Sequence, residues 1–130
     1  QPVMRILLIS PDLMSTSKLA GLAREAGGLL ETLRSLNEKP RSDQYDLVLL
    51  DLQAFRDDPA VLVAKVSVLL DSLPEKNKLM KFVAFGPHVH KQRLDDAVAA
   101  GVDESVSRGE LFGSFPALLR RWMPSPGEEH

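Results

Sequence analysis

The chain contains no cysteine. That absence excludes disulfides, thiolate metal sites and thiol nucleophiles together, and it fits the cytoplasm. An excess of charge of one sign is also lacking. Sixteen Lys and Arg stand against eighteen Asp and Glu, a formal charge of −2. Nothing electrostatic therefore draws the chain to nucleic acid or to an anionic membrane. Aromatic residues make up only 5%. The basic pairs Arg120-Arg121 and Lys78 with Lys81 have none interleaved, so they read as solvated faces rather than a nucleic-acid surface. No apolar run is long enough to span a bilayer. Gln1-Pro2-Val3-Met4-Arg5 is not followed by the apolar core and cleavage site of a signal peptide. Met4 is a candidate native start. Repeats and low-complexity tracts are absent as well.

What is present is an alternation of two patterns within 130 residues, 44% of them hydrophobic, a length that suits one domain. Three short continuous apolar runs, Ile6 to Ile9, Leu47 to Leu50 and Phe82 to Phe85, end in turn or polar residues. Such runs mark strands buried on both faces. Leu29 to Leu33 and Val102 to Val106 are weaker strands carrying polar residues, as sheet edges do. Between the strands lie helical stripes. Leu19, Leu22, Ala23 and Ala26 form one, stopped by Gly27-Gly28. Leu62, Val66, Leu69, Leu70 and Leu73 form another, opened by Asp58-Pro59 and closed by Pro74. Leu94, Ala97 and Val98 form a third, ended by Gly101. Phe112, Phe115, Leu118, Leu119 and Trp122 form the last, with Pro116 tolerable near its start. Arg34 to Tyr45 is polar and broken by Pro40, and a short or irregular helix is expected there.

The alternation predicts a flavodoxin-like, doubly wound α/β fold. Its five parallel strands run in the order 2-1-3-4-5 between two layers of helices. The domain is expected over residues 4–123. Residues 124–130 are expected to form a frayed tail or the stub of a linker.

Asp51 closes the run Leu47-Val48-Leu49-Leu50. An acid at the carboxyl end of a buried parallel strand lies at the crevice where open α/β sheets place ligands. The surrounding stretch, Tyr45-Asp46-Leu47-Val48-Leu49-Leu50-Asp51-Leu52, resembles the strand that carries the phospho-acceptor of response-regulator receiver domains. Ala97-Val98-Ala99-Ala100-Gly101-Val102-Asp103-Glu104 resembles that family's fourth helix and fifth strand. The resemblance runs from Arg5 to Trp122.

The resemblance implies a site in which a divalent cation, Mg²⁺, is held by an acidic pair, the acceptor aspartate and a backbone carbonyl. A hydroxyl and a lysine bind the phosphoryl oxygens. Such transfer rests on positioning and charge neutralisation. Here the acidic pair maps to Ser10 and Pro11, leaving Asp12 nearby. The acceptor maps to Asp51, the carbonyl to Gln53, the hydroxyl to Gly86 and the lysine to Arg108. Asp12, Asp51 and Gln53 are thus weak metal candidates, and Mg²⁺ is doubtful. Gly86 offers no hydroxyl. Arg108 keeps a charge in a different geometry, and its fork is a candidate partner for Asp51. Phe85-Gly86-Pro87-His88-Val89 with Ser107-Arg108 resembles degenerate members called pseudo-receivers.

The expected function is a phosphorylation-independent protein-interaction module in two-component signalling, without enzymatic activity beyond residual aspartyl chemistry. The resemblance places its partner surface, or a homodimer contact, on Lys91 to Gly101, Val102 to Ser107 and Phe112 to Trp122. One alternative is a working phosphorelay receiver using Asp51 as acceptor. Another is a flavodoxin-like binder of a small ligand, for which Ser15-Thr16-Ser17-Lys18 is only a faint phosphate loop. Asp12 is more readily a helix cap than a ligand. His88 and His90 lack a third metal ligand.

Overall fold

The computed structural model describes residues 3–75 and 77–123. The tail expected over 124–130 lies outside the described residues. Five strands form one parallel sheet: β1 (Arg5–Ile9), β2 (Leu29–Leu33), β3 (Leu47–Asp51), β4 (Lys81–Gly86) and β5 (Glu104–Ser107). Their order is β2-β1-β3-β4-β5, as the placement of polar strands at the edges requires. The helices are α1 (Leu13–Glu25), α2 (Pro59–Asp71), α3 (Lys91–Ala100), α4 (Arg108–Gly113) and α5 (Phe115–Trp122), with a 3₁₀ turn at His88–His90 before α3.

The continuous apolar strands divide their side chains between two cores, because successive residues point to opposite faces. Leu7, Ile9, Val48, Leu50 and Ala84 meet Leu62, Val63, Val66 and Leu70 of α2 and Leu94 and Ala97 of α3. Ile6, Leu8, Leu47, Leu49, Val83 and Phe85 meet α1 through Leu19 and Ala23, α4 through Leu111, and α5 through Phe115, Leu118 and Trp122. Every residue of β3 is buried, so both faces of the central strand contribute at roughly 1.5–3 kcal/mol per large apolar side chain. Among the described residues, no helix is long and apolar enough to cross a membrane.

Three expected boundaries differ. First, no helix forms between β2 and β3, where a short or irregular one was expected. Pro40 interrupts the segment, and the Glu31 carboxylate of β2 organises it instead. Glu31 accepts from the Arg41 amide (2.7 Å), the Tyr45 hydroxyl (2.6 Å) and the Ser42 hydroxyl (3.3 Å). Tyr45 and Leu33, both buried, and Leu36 cover the sheet where a helix would have packed. Second, the last strand begins at Glu104 rather than Val102. Gly101 leaves α3 at φ 126°, and the Val102 amide still donates to the Ala97 carbonyl (3.2 Å). Third, the last helical stripe is split at Ser114 into α4 and α5. Pro116 has no amide to give the carbonyl four residues back.

Candidate functional site

At the carboxyl edge of the sheet lies a cleft of about 360 Å³, lined by Pro11, Asp12, Asp51, Gln53, Ala54 and Arg108. Strand register builds its floor. Ile9 pairs with Leu50, so the next residues, Ser10 and Asp51, stand side by side. The Ser10 hydroxyl donates to Asp51 Oδ2 at 2.8 Å and accepts from the Asp12 amide at 3.1 Å. Ser10 and Asp51 are both fully buried. Asp51 Oδ1 has no hydrogen-bond partner, although the Ala54 amide lies near enough to favour the ionised form. Burial pushes the Asp51 carboxyl above its usual value. The Ser10 hydroxyl, the Arg108 charge and the Ala54 amide oppose that shift, and the Asp12 charge adds to it. A buried carboxylate this thinly bonded is costly.

Asp12 is the N-cap of α1. Its Oδ2 accepts from the Ser15 amide (3.1 Å) and the Ser15 hydroxyl (2.5 Å), which is the capping role expected of it. Arg108 Nη2 reaches the same oxygen at 2.9 Å and also donates to the Ser15 hydroxyl. The Ser15 hydroxyl, then its amide and Arg108, hold the Asp12 carboxyl below its ordinary range against the opposing effect of burial. Arg108 therefore pairs with Asp12, not with Asp51 as its position first suggests. The cause is local. Ser107 caps α4 by accepting from the Glu110 amide (3.1 Å), which makes Arg108 the first residue of that helix. Phe112, one turn on, lies under the Arg108 guanidinium at 5.2 Å.

The hydroxyl position of the resemblance, Gly86, ends β4 beside Ser107. A Cβ built there would meet Leu52 Cβ and Leu94 Cδ2 at 3.8 Å, ordinary contact. Gln53 is exposed on the cleft wall. Ser15-Thr16-Ser17-Lys18 lies inside the first turns of α1 rather than in a loop. His88 and His90 are exposed in the 3₁₀ turn. No group of three His, Cys, Asp or Glu that could hold a metal occurs among the described residues.

Two residues of the site carry no motif in the sequence. Arg93 of α3 donates through Nη2 to the Leu52 carbonyl (2.8 Å) and the Asp57 carbonyl (3.3 Å), pinning the loop that follows Asp51. Phe112 fits the apolar stripe of its helix, yet it also packs on Phe85 at 6.3 Å and faces Lys18 at 5.7 Å. Only its proximity to a cleft arginine, four residues earlier, hints at the second role.

Mg²⁺ takes near-octahedral oxygen coordination and dehydrates reluctantly. In this cleft the oxygen that would serve it on Asp12 is taken by Arg108 and Ser15. The place of a second acid is held by a serine already bonded to Asp51. The donors as arranged do not fit the ion.

No protein-family model matches the sequence, and no curated protein matches it. Solved structures do share its fold. A two-component response regulator from Clostridium difficile is 24% identical with TM-score 0.68, over 94% of this chain and 99% of that one. The receiver domain of a sensor histidine kinase from Pseudomonas aeruginosa, with magnesium coordinated in its active-site cleft, is 15% identical with TM-score 0.71, over 95% and 100%. A CheY-like protein, also from P. aeruginosa, is 16% identical with TM-score 0.66, over 92% and 98%. The architecture is that of receiver domains, within the flavodoxin-like α/β class.

Proposed function

We propose that the chain is a degenerate receiver-fold domain that works as a phosphorylation-independent protein-interaction module in cytoplasmic signal transduction. The receiver architecture supports the signalling class, as an analogy of fold. The observation that carries the finer reading is the pairing of Arg108 with Asp12. It ties up the acid nearest Asp51 and leaves the cleft without a place for the ion that phosphoryl transfer to a carboxylate uses. Gly86, lacking a hydroxyl, adds to it. A phosphoryl group on Asp51 would find no oxygen donor from that side chain to pull the end of β4 into a second position.

The surface proposed for partners is α3, β5, α4 and α5. It exposes Val98 and Asp95 on α3 and Arg120 and Arg121 on α5. Asp95 already pairs with Lys91 and Arg121 with Glu104; the face is proposed for a twofold contact between two copies, the commonest symmetric assembly, or for a separate protein partner.

The deciding experiment is incubation with acetyl phosphate and Mg²⁺, followed by intact mass measurement. No added phosphoryl mass is expected. A gain that Asp51→Asn abolishes would overturn the proposal in favour of a working phospho-acceptor. That second reading has one observation on its side: Asp51 Oδ1, the oxygen a donor would have to reach, is unpartnered.

A further inference from the structure

The sheet has two edges, and the fold finishes only one of them. β5 is four residues long and polar at every position but Val106. Its Glu104 carboxylate is held by Arg121 and by Trp122 Nε1 at 3.0 Å. Short, polar edge strands resist pairing with another chain. β2, at the opposite edge, is Leu-Leu-Glu-Thr-Leu. It has no proline, no lysine and no break in its five-residue pairing with β1.

The main chain makes the difference concrete. Along a parallel ladder, alternate residues turn their amide and carbonyl toward the same neighbour. The Leu29 amide donates to the Met4 carbonyl, and the Leu33 carbonyl accepts from the Ser10 amide, both at 2.9 Å. Leu29, Glu31 and Leu33 therefore bond toward β1, and Leu30 and Thr32 turn outward. Among the described residues, no partner meets the outward amides and carbonyls. Leu29, on the face that lacks a helix after β2, is 53% exposed.

We propose that β2 is a docking edge for a second copy of this chain, the two β2 strands pairing antiparallel about a twofold axis. The inference goes beyond the function proposed above and does not depend on it. It leaves α3, β5, α4 and α5 free for a separate protein.

The shortness of the edge favours a copy over a free peptide. Two outward residues offer few main-chain bonds, and a free extended peptide must also lose its conformational freedom to make them. A second copy brings its strand already ordered, and the twofold axis makes each contact twice. The charges agree. The Arg41 guanidinium forms no ion pair among the described residues, while the Arg41 amide donates to the Glu31 carboxylate at 2.7 Å. An axis normal to the sheet brings Arg41 of each copy to the same side as Glu31 of the other.

The test is sedimentation equilibrium from micromolar to millimolar protein, with amide hydrogen exchange followed residue by residue. The wild-type chain should dimerise reversibly, and exchange at Leu30 and Thr32 should slow as the dimer fills. Thr32→Pro removes an outward donor at a position where an edge strand accepts proline. It should fold like the parent and raise the dimer dissociation constant about tenfold, through two hydrogen bonds lost per dimer. Leu29→Lys puts a charge on the edge and leaves the backbone bonds alone. It should weaken the dimer similarly, and it carries the test should the proline variant fail to fold. A wild-type chain that stays monomeric throughout overturns the inference. So does a dimer that resists both variants but is broken by Val98→Lys on α3, or one whose Leu30 and Thr32 amides exchange as fast as in the monomer. Slow exchange of both amides in a monomer means that the same chain covers its own edge, and overturns it too. Labelling of Asp51 by acetyl phosphate overturns the function proposed above and leaves this inference standing.

Discussion

Two aspartates bracket the central strand, five residues apart, and the fold treats them in opposite ways. Asp46, just before β3, has both oxygens engaged: Oδ2 accepts from the Arg5 amide at 2.8 Å and Oδ1 from the Asn77 side chain at 3.0 Å. Asp103 does similar work at the same end of the sheet, accepting from the Phe82 amide at 2.8 Å. These acids close the first rung of the sheet, where strands begin and amides lack partners. Asp51, at the other end, is wholly buried with one oxygen unpartnered. The amino edge uses its acids to finish the architecture. The carboxyl edge keeps one that the architecture does not need, beside a cation already paired with Asp12. A buried polar atom left without a partner calls for an explanation that stability alone does not give.

The sharpest way to break this comparison is to remove the acids in turn. Asp46→Ala removes the charged acceptor of both the first amide of β1 and the Asn77 side chain and should cost about 2 kcal/mol in urea denaturation, the scale of hydrogen bonds to a charged group. If it costs nothing, the structural role assigned to the amino edge is wrong. Asp51→Asn should act in the opposite direction and less strongly, stabilising by about 1 kcal/mol at neutral pH by removing a buried charge. Its pH dependence fixes the cause. The folded carboxyl sits above its ordinary value of 3.8, so between that value and the raised one the folded state binds more protons than the unfolded state. Stability then falls as pH rises through that window. The advantage of Asp51→Asn should therefore shrink toward zero as pH drops to 3.8, and an advantage independent of pH would exclude burial of charge as its source. The smallest effect is expected for Asp12→Asn, because Asp12 is part-exposed. Its carboxyl is lowered, so its contribution is present above 3.8 and is lost as pH falls through the lowered value. The variant should be less stable than the parent at neutral pH and equal to it in strong acid. Denaturation midpoints of the three proteins across pH measure the opposition directly.

How much of this was legible in the chain follows from what each feature depends on. The three central strands needed only composition, because an uninterrupted run such as Leu47 to Leu50 can be satisfied only by burial on both faces. The strand order followed from the polar character of β2 and β5. The loop over residues 34–46 was harder, since what replaces a helix there is a single carboxylate, Glu31, gathering three donors that lie ten to fourteen residues away. The neighbours Ser10 and Asp51 were within reach of the register argument. Treating Ser10 only as the place of a missing acid hid its role as a hydrogen-bond donor. The partner of Arg108 was out of reach. Two carboxylates share the cleft, and the choice between them is made by the start of α4, the Ser15 hydroxyl and the Phe112 ring, none of which spacing reveals.

Gly86 bears on the loss of switching proposed above. Its backbone lies outside the left-handed region that only glycine enters freely, and a side chain there would find room against Leu52 and Leu94. The missing hydroxyl is thus a matter of one codon and not of the chain's path. A single exchange, Gly86→Ser, would return an oxygen to the end of β4, on a Cβ that meets its neighbours at ordinary contact distance. On the reading proposed above, what sets this cleft apart from a switching one lies in side chains alone, and side chains can be rewritten by evolution or by design.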